Sequence, residues 1–208
     1  MRRPARRGAA AALVAVLALA SAACSGRAED DVPAAAPDGP AAVYLAVGAD
    51  ATLGIGTEQP LVEEWPKVLF RTALPRDTVF VNAAQEGATV AEAFREQVAL
   101  AGEVEPTLVT VWLSRDDLAA GTPVADYEAV LGDLVHVLER GGQARVLVAN
   151  APEVTGVPAT TVAAYNDAIA RVAQAEEADL VDLHTLGLRD VLDAEAQARV
   201  AEAFAAVL

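Results

Sequence analysis

Residues 42–56 read Ala-Val-Tyr-Leu-Ala-Val-Gly-Ala-Asp-Ala-Thr-Leu-Gly-Ile-Gly, an unbroken apolar run followed by a glycine-rich loop. An apolar run of this length, ended by glycine, is typical of a parallel strand that is buried on both faces. Four more apolar, β-rich runs follow along the chain. The five predicted strands are Ala42–Val47, Thr78–Asn82, Leu108–Leu113, Arg145–Ala149 and Ala178–Leu183.

Segments with the apolar spacing of helices lie between these strands. Pro66 suits the first turn of a helix, which predicts a helix over Pro66–Leu74. Four further apolar stripes also predict helices. They are Val90, Phe94, Val98 and Ala101; Tyr127, Val130, Leu131, Leu134, Val137 and Leu138, ended by Gly141-Gly142; Val162, Tyr165, Ile169 and Val172; and Val200, Phe204 and Leu208.

Alternation of strand and helix, repeated five times, predicts an α/β domain with a doubly wound parallel sheet. Ligands of such sheets bind beyond the carboxyl ends of the strands, where the strand order reverses. The segments after the first and third strands, Gly48–Gly56 and Ser114–Asp117, are therefore the candidate site.

The N-terminal residues have a composition of their own. Four arginines precede an apolar run at 9–20, which is shorter than the roughly 20 residues that span a bilayer. A positive flank, a short apolar run and small residues predict a signal peptide over residues 1–23. The small residues lead into Cys24, as in the lipobox of bacterial lipoproteins, so we expect lipid attachment at Cys24. Ordinary cleavage, which would leave a free thiol, is the alternative.

Residues 24–40 contain three prolines, four acids and many alanines without hydrophobic periodicity, and they predict a disordered linker after the lipidated cysteine. Residues 41–208 then form one domain by length. These features predict an exported protein whose lipid anchors it to the outer face of the cell membrane.

The chain is strongly acidic. Its net charge is −15, and it becomes −19 without the four arginines of residues 1–23, a segment that has no acid. Such a charge repels nucleic acid, which we exclude as a partner. Apart from the membrane, reached through the lipid, the sequence indicates only an unknown small ligand or protein partner.

The loop after the first strand resembles the SGNH, or GDSL-type, hydrolases, which open with a strand, Gly-Asp-Ser-Leu-Thr and then Gly-x-Gly. The matching positions are Gly48, Thr52, Gly54 and Gly56. The family's nucleophilic serine is Asp50 here, and its neighbouring aspartate is Ala49.

Later blocks of the family follow in order. Gly87, in Gly87-Ala88-Thr89, matches the glycine whose amide helps to form the oxyanion hole. Ser114-Arg115-Asp116-Asp117 stands at the Gly-x-Asn-Asp block, with Asp116 in place of the oxyanion asparagine. In the last block, Asp-x-x-His, Asp190 is retained and Asp193 replaces the histidine. The resemblance covers the whole domain and implies a three-layer α/β/α fold, with a five-stranded parallel sheet in the flavodoxin-like order 2-1-3-4-5.

The same resemblance implies ester hydrolysis by a serine, a histidine and an aspartate, but the residues present do not supply that chemistry. A carboxylate at Asp50 has no hydroxyl proton for a base to remove, and an ionised Asp116 only accepts hydrogen bonds. Asp193 has no hydroxyl to activate. No catalytic set is intact, and we expect an inactive, esterase-like domain that binds a ligand or partner and needs no cofactor.

Two alternatives stay open. Asp50 could act as nucleophile or general base in a non-standard hydrolysis of an acyl or acetyl-glycan ester. The carried-over positions also predict that Asp50, Asp116, Asp117, Asp190 and Asp193 surround one cleft, which could bind a divalent cation or a cationic ligand.

A second serine hydrolase site elsewhere in the domain is not expected. Ser114 is its only serine, and His184, at the end of the fifth predicted strand, lies two strand spacings away, or roughly 10 Å. We interpret His184 as structural and His136, which lies off the apolar stripe of its helix, as a surface residue.

Overall fold

A computed structural model describes residues 42–140 and 142–208. Its five strands are β1 (Val43–Gly48), β2 (Val79–Asn82), β3 (Leu108–Trp112), β4 (Arg145–Ala149) and β5 (Asp179–Val181). All neighbouring pairs are parallel, and the order across the sheet is β2-β1-β3-β4-β5. The predicted fold and strand order are therefore confirmed.

Eight helices connect or follow these strands in the described part of the chain. They are α1 (Pro60–Glu63), α2 (Trp65–Ala73), α3 (Val90–Glu96), α4 (Val98–Val104), α5 (Arg115–Ala120), α6 (Val124–Glu139), α7 (Ala159–Ala175) and α8 (Ala194–Ala205). Short 3₁₀ turns at Asp50–Leu53 and His184–Leu186 follow β1 and β5.

The helices form two layers because successive residues of each strand point to opposite faces of the sheet. In β1, Leu45 and Val47 pack into a core with α3, α4, α6 and α7. Tyr44 and Ala46 pack into the other core, with α2 and α8. In that second core the rings of Trp65 and Phe204 stack with centroids 4.3 Å apart, joining α2 to α8.

The predicted boundaries of one helix and one strand need correction. The stripe from Val90 to Ala101 does not form one helix, because the chain breaks at Gln97, whose side-chain amide bonds both the N–H and the C=O of Gly48. The fifth strand is also shorter than predicted. It ends at Val181. Beyond it, the backbone amides of Leu183 and His184 donate to the side-chain oxygen of Asn150.

The switch in strand order lies between β1 and β3, whose ends are level because Gly48 is paired with Trp112. The loop after β1 and the start of α5 therefore meet at one edge of the sheet. No helix in the described part of the chain is long and apolar enough to cross a membrane. The predicted signal peptide, Cys24 and the linker lie outside the described residues.

Candidate functional site

The loop after β1 turns sharply, and its glycines make the turn possible. A Cβ on Gly48 would lie 2.0 Å from Oγ1 of Thr52, so no larger residue fits there without displacing buried Thr52. Gly54 ends the 3₁₀ turn with φ of 71°, in the left-handed region that glycine adopts without strain. The glycines thus hold Asp50 at the carboxyl end of β1.

Three side-chain amides fix this loop from different elements. Gln97 bonds Gly48 from the break between α3 and α4, and Asn82 of β2 donates to the carbonyl of Thr52 over 2.9 Å. Gln197 of α8 donates to the carbonyl of Ala51 over 3.1 Å. Sequence reasoning missed these residues, although a fully buried glutamine such as Gln197 leaves one signal, a polar residue within an apolar helix face.

Asp50 is half-buried and points across to the loop after β2. Its Oδ1 accepts a hydrogen bond of 2.7 Å from the amide of Gly87. Gly87 has φ of 67°, which lets the chain present this N–H toward Asp50. Asp50, at the predicted nucleophile position, and Gly87, the predicted oxyanion glycine, are therefore adjacent. The carboxylate of Asp50 already accepts the hydrogen bond of the Gly87 amide.

Asp116 lies in the first turn of α5, facing the same space. Burial raises the pKa of its carboxyl above the ordinary value, and the negative charges of Asp50 and Asp117 raise it further, while Arg115 opposes the shift. Asp50 and Asp116 thus line the same cleft, where the charge of Asp50 helps to raise the pKa of Asp116.

Asp190 is the third aspartate at this place. Hydrogen bonds from the side chain and the amide of Thr155 lower the pKa of its carboxyl, with a smaller contribution from the positive charge of Arg115. Asp190 is thus held as an anion by Thr155, where the resemblance predicts a partner for a histidine.

Asp117 and Asp193 do not join these three, which corrects the prediction of five aspartates around one cleft. Asp117 is buried behind the cleft, where it accepts a 2.8 Å hydrogen bond from the amide of Val90 at the start of α3. Asp193 caps α8 by accepting from the amide of Ala196, and Arg189 bonds its other oxygen.

The cleft itself is small and has mixed walls. Its volume is about 40 Å³, enough for a few water molecules or a small chemical group. Carboxylates and guanidinium groups both line the cleft. The carboxylates belong to Asp50, Asp116 and Asp190, and the guanidinium groups to Arg115 and Arg189. The apolar lining residues are Ala49, Ala51, Trp112, Pro152, Val154 and Leu192. A wider groove of about 800 Å³ adjoins it and shares Asp190 and Arg189 with it.

The aspartates of the cleft are not grouped as ligands of one ion. Among the residues that the structure describes, no three of the cleft's carboxylates bring their oxygens within 4.8 Å of one another. The described residues therefore offer no preformed cation site in the cleft.

Ser114 lines the cleft, but no base reaches it. Its hydroxyl is buried and has no hydrogen-bond partner among the described residues. His184 instead places Nδ1 3.0 Å from the carbonyl oxygen of Ala151, in agreement with a structural role. The side chain of His136 is 73% exposed, as predicted for a surface residue.

Comparison with solved structures supports the same fold. One neighbour is described as a lipolytic protein of the G-D-S-L family from Desulfitobacterium hafniense; it is 17% identical, has a TM-score of 0.69, and the match covers 80% of this chain and 99% of that chain. A psychrotrophic esterase, EstA from Pseudoalteromonas, is 19% identical with a TM-score of 0.65 and coverage of 79% and 95%. A protein named TesA is 22% identical with a TM-score of 0.69 and coverage of 80% and 97%.

Sequence comparison identifies the family directly. A search of curated protein sequences found no significant match to this chain. The model of the GDSL-like lipase/acylhydrolase family, however, matches residues 45–204, which include most of β1, all of β2 to β5 and every residue that lines the cleft. The chain therefore belongs to the GDSL-like lipase/acylhydrolase family.

Proposed function

We propose that this protein is a lipid-anchored member of the family whose cleft no longer hydrolyses esters and instead binds a small ligand or a protein partner. The observation that carries the proposal is the 2.7 Å hydrogen bond from the amide of Gly87 to Asp50. An amide engaged with a charged oxygen in the resting state is not free to bind the oxyanion of a tetrahedral intermediate.

The other two replaced positions support loss of catalysis. Asp193 caps α8, and its Oδ1 accepts a hydrogen bond from the backbone amide of Ala196 rather than from a substrate. Asp116 carries a carboxyl where the family has a neutral donor, and at a pH where it is ionised it would repel an oxyanion. The chain differs from the family pattern at these three positions, while Gly48, Gly54 and Gly56 of the loop match it.

A binding role accords with what remains of the cleft. The small cavity opens beside the wider groove, so a ligand could place a compact group near Asp50 and rest its remainder on the groove. Four acidic side chains outnumber two basic ones around the cavity: Asp50, Asp116, Glu153 and Asp190 against Arg115 and Arg189. We therefore expect neutral or cationic ligands rather than anionic ones.

The test is a restored variant that carries Asp50→Ser, Asp116→Asn and Asp193→His together. We expect the wild-type protein to hydrolyse p-nitrophenyl acetate no faster than buffer, and the restored variant to exceed it. The matched control carries Asp116→Asn and Asp193→His without the serine, and we expect it to stay at the background rate. A wild-type rate clearly above buffer, and as high as that of the restored variant, would contradict the proposal.

The anchor is tested separately, in cells that express the full chain. We expect a labelled fatty acid to be incorporated into the wild-type protein and not into Cys24→Ser. The same substitution should move the protein out of the membrane fraction. Equal labelling of the two proteins would overturn the predicted attachment at Cys24.

A further inference from the structure

A second cluster of ligating side chains lies at the other edge of the sheet. In a parallel α/β sheet, each connecting helix runs back and ends near the start of the next strand. The C-terminal ends of α6 and α7 therefore lie near the starts of β4 and β5, away from the cleft. His136 and Glu139 of α6 meet Glu176, the C-terminal cap of α7, at this place.

The three side chains are close enough to share one ion. Nδ1 of His136 lies 2.9 Å from Oε2 of Glu176, and one ligand atom from each of the three residues lies within 4.8 Å of the others. His136 and Glu139 are three residues apart, so they share one face of α6. A zinc ion holds nitrogen and oxygen ligands at about 2.0–2.2 Å, and small rotations of these side chains would reach that spacing.

The surroundings favour a cation. The C-terminus of a helix carries partial negative charge from its aligned peptide dipoles, and two long helices of 16 and 17 residues end here. Arg140 is the neighbouring positive side chain, but it bonds Glu105, 3.4 Å away. An exposed imidazole–carboxylate pair adds at most about 1 kcal/mol of stability by itself, so stability alone gives little reason for the arrangement.

We infer that His136, Glu139 and Glu176 form a surface site for Zn²⁺, with water completing the coordination. One imidazole and two carboxylates suit zinc, whereas Ca²⁺ and Mg²⁺ prefer a shell made of oxygen alone. The carboxylates supply the negative charge, and the two packed helices fix the spacing. The site is independent of the cleft and of its proposed function.

Calorimetric titration with ZnCl₂ tests the site in the full-length chain. All proteins carry Cys24→Ser, because a free thiol would bind zinc by itself. We expect one saturable site per chain, a loss of at least about tenfold in affinity in His136→Ala, and a smaller loss in Glu139→Gln. Because the side chain of His136 is exposed, we expect His136→Ala to fold as the parent does, and circular dichroism checks this.

His184 provides the matched control because it is the only other histidine in the chain. We expect His184→Ala to bind zinc as the parent protein does, and millimolar Ca²⁺ not to displace the ion. In an NMR titration, the ring signals of His136 should shift while those of His184 stay in place. Absence of saturable binding, or equal affinity in His136→Ala and the parent, would overturn the inference.

Discussion

A single carboxylate defines the chemistry of the loop after β1. The hydrogen bond between Asp50 and Gly87 pairs a charged acceptor with a backbone donor, and such bonds are stronger than those between neutral groups. A serine hydroxyl would instead leave this amide free for an incoming oxygen. In the proposed function, the aspartate at position 50 therefore lacks the nucleophilic hydroxyl and also accepts the hydrogen bond of the Gly87 amide.

Gly48 is the residue at which the loop tolerates least change. In Gly48→Ala the new methyl would fall 2.0 Å from Oγ1 and 2.7 Å from Cβ of Thr52, which is fully buried and has no room to move. Overpacking of this kind costs about 1–3 kcal/mol in free energy of unfolding, which chemical denaturation measures. The control is Gly132→Ala in the middle of α6, where nothing lies within 4 Å. We expect it to stabilise the protein by up to about 1 kcal/mol, and equal effects of the two substitutions would contradict the packing argument.

Asp116 should make stability depend on pH. Burial and the charge of Asp50 raise its pKa above the ordinary 3.8 in the folded protein. The carboxyl thus favours folding below that ordinary value, and this contribution is lost as pH rises through the raised pKa. We expect Asp116→Asn to raise the melting temperature at pH 7, with a smaller difference near pH 4.

Asp133→Asn, at an exposed position of α6, is the control for this measurement. It should change the melting temperature little at either pH, because the carboxylate of Asp133 is already in water. If Asp116→Asn lowered the melting temperature at pH 7, burial of a charged carboxyl in the cleft would not be the dominant effect.

At the scale of elements, α8 depends on Asp193, the position that the resemblance assigns to the family's histidine. Asp193 accepts a 2.9 Å hydrogen bond from the amide of Ala196, in the first turn of α8. Loss of an N-cap costs about 0.5–2 kcal/mol, so we expect Asp193→Ala to lower the free energy of unfolding by that amount. Asp193→Ser keeps a capping oxygen and should retain most of the stability. If serine were as costly as alanine, the ion pair with Arg189 would be the main contribution instead.

Most elements could be predicted from the sequence because their signals are local. Each strand is an apolar run, and α6 and α7 have long apolar stripes, so their positions agree with the prediction. The break at Gln97 could not be predicted, since the hydrogen bonds that accompany it join Gln97 to Gly48, 49 residues earlier in the chain. The short α5 was also missed, because six residues are too few to show a helical period.

For the whole molecule, topology explains which parts of the site could be predicted. The ends of β1 and β3 are neighbours in the sheet, so Asp50 and Asp116 had to come near each other. The predicted positions of Asp117 and Asp193 were wrong. Sequence spacing places both residues near the start of a helix, but it does not show which backbone amide each side chain bonds. Asp117 bonds α3 behind the cleft, and Asp193 bonds its own helix.

In the proposed function, the protein keeps the family scaffold and lacks its ester chemistry. The scaffold depends on distant polar contacts, such as those of Gln97 and Gln197 to the loop after β1, and these are intact. The resemblance assigns Asp50, Asp116 and Asp193 to the family's nucleophile, oxyanion asparagine and histidine, and all three differ from the family pattern. The cleft should therefore keep its shape when its remaining carboxylates are altered.

The most direct test measures kcat/KM on short p-nitrophenyl esters for the wild-type protein and for Asp50→Ala. We predict that both stay at the buffer rate and do not differ, because Asp50 has no catalytic role. Asp50→Ala removes one carboxylate and leaves the loop glycines in place, so melting curves of the two proteins serve as the folding control. A wild-type rate clearly above buffer that disappears in Asp50→Ala would show that Asp50 is a catalytic carboxylate and would contradict the account.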